Sequence, residues 1–184
     1  ADDGSWTPDC ARFVMKQSSD AEDCSRPGPL LVIDANGENA RPLGVNGAYP
    51  RVTPDGAYVV YSTGNSLMRI SIAGGTPELL TTGADIRNIA VSPDGRRIMF
   101  SSRYGETALH AQYRLRFYDV STRVTGDIAM DDNLSAEMGA WSPDGKLYCF
   151  SVTRIAGTVA DAIRIAGFSE TPLPPADTPA AVPV

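Results

Sequence analysis

A single histidine, His110, is present in the 184 residues, so any Ser-His-Asp relay would have to use it. It stands in the stretch Ser102-Arg103-Tyr104-Gly105-Glu106-Thr107-Ala108-Leu109-His110, and no Gly-x-Ser-x-Gly elbow occurs anywhere in the chain. A lone loop histidine is more often a surface residue than a general base, and no catalytic residue is assigned. Two oxygen-rich segments carry the residue types of a calcium loop: Asp34-Ala35-Asn36-Gly37-Glu38 and Asp131-Asp132-Asn133. Neither has ligands at alternate positions ending in a twelfth-position Glu, and Asn36-Gly37 is already explained as a hairpin turn. Zinc is disfavoured because Cys10, Cys24 and Cys149 lack CxxC spacing and have one His to help them. No metal and no cofactor is expected.

Asp55, Asp94 and Asp144 look at first like an acid array, but each sits in a repeated local pattern that gives it a structural task. The pattern is Val52-Thr53-Pro54-Asp55-Gly56, Val91-Ser92-Pro93-Asp94-Gly95 and Trp141-Ser142-Pro143-Asp144-Gly145. A degenerate copy, Trp6-Thr7-Pro8-Asp9, is followed by Cys10 where the others have Gly. The aspartates at 9, 55, 94 and 144 lie 46, 39 and 50 residues apart, the period of a repeat architecture. Ser or Thr, then Pro to preset φ, then Asp and Gly fit the four positions of a type I turn.

After each turn apolar side chains alternate: Phe13/Met15, Val59/Tyr61, Ile98/Phe100 and Tyr148/Phe150. This is the period of a strand with one face on a core. Val14, Val60, Met99 and Cys149 make the opposite face apolar too, so both faces are expected to be covered by neighbouring sheets, with Cys149 a buried, inert thiol. A second strand pair follows in each unit. Leu30-Leu31-Val32-Ile33-Asp34 turns at Asn36-Gly37 into Ala40-Arg41-Pro42-Leu43, and Leu67-Met68-Arg69-Ile70-Ser71-Ile72 turns at Gly74-Gly75 into Glu78-Leu79-Leu80. Leu115-Arg116-Phe117-Tyr118-Asp119-Val120 turns near Ser121-Thr122, and Ala162-Ile163-Arg164-Ile165 supplies a third strand to the last unit, which has no clear fourth.

The recurring Ser-Pro-Asp-Gly turn running into alternating apolar residues that end in Ser resembles the repeat of TolB-type β-propellers, over about residues 5–168. The resemblance implies an all-β chain, a β-propeller or a partial, open propeller of about four four-stranded antiparallel blades. Its units fall near residues 5–45, 46–83, 84–133 and 134–168, with a Pro/Ala-rich extended tail at 169–184. It also implies a bacterial periplasmic setting and a role in protein contacts. The repeat is similar as well to the propeller that guards prolyl-oligopeptidase-type catalytic domains. The chain lacks the α/β domain that precedes the propeller in the namesake family and has about four units where that family usually has six. An open arc leaves sheet faces that something must cover.

Composition narrows the partners. The formal charge is −6, and residues 1–24 carry six acids against Arg12 and Lys16, which argues against nucleic acid. No apolar stretch approaches the roughly 20 residues that span a bilayer. The chain opens Ala1-Asp2-Asp3 without Met, as signal-peptide removal or trimming would leave it. Export would favour a disulfide between Cys10 and Cys24, which requires residues 18–24 to fold back; the pair is left open between bonded and free.

The expectation is therefore a non-catalytic, exported accessory subunit that docks on a larger, membrane-bound protein complex at its periplasmic side. The alternative is the gating propeller of a hydrolase whose catalytic domain lies outside these residues. Two surfaces are expected to meet a protein partner. One is the insertion at residues 103–114 with Tyr104 and Tyr113. The other is the polyproline-like tail with Pro172, Leu173, Pro174, Pro175, Val182, Pro183 and Val184.

Overall fold

Each Thr/Ser-Pro-Asp segment closes the turn its residues dictate. The fourth residue's N–H donates to the first residue's carbonyl, Cys10 to Thr7, Gly56 to Thr53 and Gly95 to Ser92 at 2.8 Å, and Gly145 to Ser142 at 2.9 Å. The aspartate locks the turn from inside. Asp55 Oδ1 accepts the Thr53 hydroxyl at 2.5 Å and the Ala57 amide at 3.0 Å. Asp9, Asp94 and Asp144 repeat the arrangement on Thr7, Ser92 and Ser142. Hydroxyl bonds from Thr7, Thr53 and Ser142, with the amide bonds second, hold Asp9, Asp55 and Asp144 below the ordinary carboxylate range. These aspartates are turn locks.

The computed structural model describes residues 4–17, 26–106, 111–128, 134–154 and 162–167, and these residues form strands, turns and bends. The turns join antiparallel strands in meander order. The first blade is β1 (Gly4–Trp6), β2 (Arg12–Lys16), β3 (Gly28–Asp34) and the start of β4 (Arg41–Val52). The end of β4, with β5 (Tyr58–Ser62), β6 (Ser66–Ser71) and β7 (Glu78–Thr82), makes the second. β8 (Ala84–Val91), β9 (Arg97–Glu106), β10 (Ala111–Asp119) and β11 (Val124–Asp127) make the third. The fourth holds β12 (Leu134–Trp141), β13 (Leu147–Arg154) and β14 (Ala162–Gly167). Because β4 pairs with β3 through Pro42 and Arg41 and with β5 through Arg51 and Val52, the first two blades share a strand and read as one seven-stranded sheet.

Three apolar layers glue neighbouring blades. Val14, Leu30, Val32 and Leu43 of the first pack on Val59, Tyr61, Ile70 and Ile72 of the second. Val60 and Leu67 on the second blade's other face meet Ile86, Ile89, Ile98, Phe100 and Tyr118. Met99, Leu115 and Ile128 meet Ala136, Tyr148, Phe150 and Val152. Each fully buried side chain of this kind contributes about 1.5–3 kcal/mol, so these layers dominate the stability of the arc.

The rule for faces follows. In each hairpin the residues equivalent to Val59 and Tyr61 face the preceding blade and the residue equivalent to Val60 faces the next. For the two middle blades both faces are covered, as the alternation predicts. Among the described residues no such layer lies on the outer faces of the two end blades. Phe13 and Met15, expected on the core, are half-buried on an outer face while Val14 between them is fully buried. Cys149, expected to be buried, is partly exposed on the opposite outer face. Among the described residues the first and fourth blades share no apolar layer, so the blades form an open arc.

Candidate interaction surface

At the rim opposite the Pro-Asp turns, the inner strand β8 breaks its regular period. Register shifts fall between Ala84 and Arg87 and again between Arg87 and Ala90, and Asp85 and Asn88 adopt φ of +47° and +53°. Bulges of this kind re-aim side chains. Here they turn Asp85 and Arg87 onto one another: Arg87 Nε donates to Asp85 Oδ1 and Arg87 Nη2 to Asp85 Oδ2, both at 2.8 Å. The Tyr113 hydroxyl of β10 donates to the same carboxylate at 2.6 Å, and the guanidinium lies 5.0 Å from the Tyr113 ring centre. Tyr113 also donates its amide to Ser135 Oγ on β12 at 2.9 Å, which ties the third blade to the fourth.

The charges in this cluster are mutually adjusted. Burial pushes the Asp85 carboxyl up, but the Arg87 and Tyr113 bonds outweigh it and hold the group below its ordinary value. Burial, and then the bond to Asp85, push the Tyr113 phenol well above its ordinary range. Glu137 on β12 is different. Burial raises its carboxyl, and the Arg87 charge offsets that in part while Asp85 adds to it.

The hairpin above this cluster is longer than its neighbours. β9 and β10 continue to pair beyond the blade, through Arg103 with Tyr113, Gly105 with Gln112 and Glu106 with Ala111, with a bulge at Gln112/Tyr113. The insertion read from the sequence as a loop is thus a strand extension on both sides of residues 107–110. On it Tyr104 is 38% exposed, and the Arg114 guanidinium covers its ring at 4.2 Å.

The two tyrosines expected at a contact therefore divide. Tyr104 stays at the surface. Tyr113 is 3% exposed and its hydroxyl is engaged by Asp85, so it braces the hairpin and offers no ring to a partner. Asp34 and Glu38 are occupied locally, since Asn39 Nδ2 donates to Asp34 Oδ2 at 2.8 Å and Asn36 Nδ2 to Glu38 Oε2 at 3.0 Å. Cys10 is exposed, while Cys24, its candidate disulfide partner, lies outside the described residues. So do His110, Asp131, Asp132, Asn133 and the tail residues Pro172, Leu173, Pro174, Pro175, Val182, Pro183 and Val184. Sequence reasoning missed Asp85, Arg87 and Glu137. No strand-period rule finds the first two, because the left-handed Asp85 and the bulges of β8, and not a regular two-residue spacing, bring the charges together.

Comparison with known proteins places the architecture. No protein-family model matches the chain. It is 34% identical over 107 residues to Atu1656, an uncharacterised protein of Agrobacterium fabrum, a match that takes in 55% of this chain and 34% of that one. Among solved structures it superposes on TolB from Acinetobacter baumannii with a TM-score of 0.66 at 22% identity, covering 88% of this chain and 40% of that one. A TolB-type protein from Agrobacterium tumefaciens gives 0.67 at 16%, covering 89% and 57%. The tricorn protease gives 0.62 at 14%, covering 86% and 17%. The fold is that of a TolB-type β-propeller, and the chain spans about a third of the curated relative it matches.

Proposed function

We propose that this chain is a non-catalytic interaction module, an exported accessory subunit that docks on a larger, membrane-associated protein complex at its periplasmic side. The observation that carries the reading is the rim hairpin. Tyr104 on the extension and Arg114 at its base form a stacked pair, both of residue types enriched at protein–protein hot spots. The Tyr113–Asp85–Arg87 cluster beneath stiffens the base of the hairpin, so little ordering cost falls on binding. The periplasmic setting rests on the resemblance to TolB-type propellers.

The test is recovery of the native protein from membranes in mild detergent, with mass spectrometry and stoichiometry of what accompanies it. The expected result is a fixed-ratio complex that dissociates when Tyr104→Ala and Arg114→Ala are combined, with the circular dichroism of the isolated chain unchanged. Recovery of the protein alone, or a complex indifferent to both substitutions, counts against the reading. A second reading, a propeller that gates a hydrolase, draws support from the shared fold with the tricorn protease. A reading frame that continues past Val184 into a Gly-x-Ser-x-Gly elbow would favour it.

A further inference from the structure

Two Asn-Gly dipeptides occur in the chain, Asn36-Gly37 and Asn46-Gly47, and the fold treats them oppositely. An asparagine before glycine can close on itself, because the glycine nitrogen, with no side chain beside it, reaches the asparagine amide carbon and forms a five-membered imide. Both asparagines are exposed, so access to the amide does not separate them. The glycines do. Gly47 is buried and held in the β3–β4 ladder opposite Gly28. A Cβ built on it would run into the Tyr61 ring, so its backbone has no room to swing towards Asn46.

Gly37 stands exposed in the turn between β3 and β4 at a φ of +85°, and a Cβ built on it would meet nothing within 4 Å. Its N–H donates to the Asp34 carbonyl at 2.8 Å, a surface turn bond that opens locally at little cost. The Asn36 amide beside it is already held at both ends. Its Oδ1 accepts the Glu38 N–H at 2.9 Å, and its Nδ2 donates to Glu38 Oε2 at 3.0 Å. Negative charge develops on Oδ1 when the Gly37 nitrogen adds to Cγ. A backbone N–H in place at that oxygen stabilises the charge as an oxyanion-hole donor does.

We propose that Asn36 is a site of spontaneous self-modification with water as co-reactant, and that the fold protects Asn46 from the same reaction. Solvent base removes the Gly37 amide proton, the nitrogen bonds to Asn36 Cγ, and the Cγ–Nδ2 bond breaks. The proton returns to Nδ2, which leaves as ammonia. One water then adds to either imide carbonyl and breaks that carbonyl's bond to the ring nitrogen. Addition at the side-chain carbonyl leaves aspartate at position 36, and addition at the backbone carbonyl leaves isoaspartate. The two products differ in what they do to the hairpin. Aspartate keeps the bond from the amide two residues on, as Asp55 does from Ala57 and Asp94 from Arg96, and adds a third carboxylate beside Asp34 and Glu38. Isoaspartate lengthens the backbone by one carbon, next to the register in which Leu31 meets Pro42 and Val32 meets Arg41. The hairpin thus gains a charge, and in part of the molecules a kink, with age.

Timed incubation of the folded chain at mildly alkaline pH tests this, with peptide fragmentation in the mass spectrometer assigning each amide-to-acid mass gain to its residue. The expected result is a gain at Asn36 at least about tenfold faster than at Asn46, because Gly47 must first leave a strand ladder. In concentrated urea the two rates should come together, since the unfolded chain gives both dipeptides the same freedom. In Asn36→Gln, whose longer side chain would need a six-membered ring, the gain at position 36 should disappear from the same time course. No gain at Asn36 in the folded chain, a gain at Asn46 that keeps pace with it there, or a difference that persists in urea overturns the inference.

Discussion

The Tyr113 hydroxyl reaches across from β10 to the Asp85 carboxylate of β8 at 2.6 Å, and that bond decides whether the rim hairpin has a firm base. A hydrogen bond to a charged acceptor is worth about 1.5–3 kcal/mol, less where water competes, as it does at the partly exposed Asp85. Tyr113→Phe should therefore lower the unfolding free energy by about 1–2 kcal/mol. The pH dependence has a definite sign. Asp85 is held below its ordinary value in the folded protein. Its contribution is full above the unfolded carboxyl's range and is lost as the pH falls through the lowered folded one. Urea titrations of wild type and Tyr113→Phe should differ fully at neutral pH and converge below about pH 4. Equal stabilities at pH 7 would mean the bond is idle.

Cys10 holds a φ of +57° at the turn position where Gly56, Gly95 and Gly145 hold +70° to +72°. The left-handed conformation costs an L-residue roughly 1–2 kcal/mol, and glycine's extra freedom in the unfolded chain takes back about half of that. Cys10→Gly, measured under reducing conditions so that no disulfide intervenes, should stabilise the isolated chain by about 0.5–1 kcal/mol. A loss of stability would show that the Cys10 side chain makes a contact worth more than the strain.

What the sequence reveals about this fold is whatever is decided locally. The Pro-Asp turns are legible because each residue type answers a demand of the turn itself, and Asp55 does in the structure what its position required. The alternation after each turn is legible for the same reason. The face that Phe13 and Met15 present is not, because it depends on whether a blade precedes them, which no local pattern carries. Asp85 and Arg87 escaped notice because the bulges of β8 break the period-2 pattern around them. The shared strand β4 escaped because one continuous strand replaces the expected break between two units.

Glu137 should behave oppositely to Asp85. Burial raises its carboxyl and Arg87 offsets this only in part. A raised carboxyl binds its proton more tightly folded than unfolded, so ionising it costs stability as the pH rises from about 4 through the raised folded value. Glu137→Gln should thus be the more stable form at pH 7, by less than about 1 kcal/mol given the partial exposure, with the gain gone near pH 4. If the substitution instead weakens the protein at pH 7, the attraction between Glu137 and Arg87 outweighs the burial.

Tyr148 carries a buried hydroxyl with no hydrogen-bond partner among the described residues, inside the layer between the third and fourth blades. Such a group costs about 1–3 kcal/mol relative to its solvated state, whereas its ring is well placed. The ring meets Trp141 at 5.2 Å and Phe150 at 6.2 Å, and neither contact needs the oxygen. Tyr148→Phe keeps the ring and removes the orphaned group, so it should raise the unfolding free energy by about 1 kcal/mol. Because burial pushes the phenol well above its ordinary range, it stays neutral through physiological pH and the gain should be flat between pH 6 and pH 9. Chemical denaturation of the two forms across that range decides the point. A destabilised Tyr148→Phe would mean that the hydroxyl is bonded in solution and that this layer takes up water when the chain is dissolved.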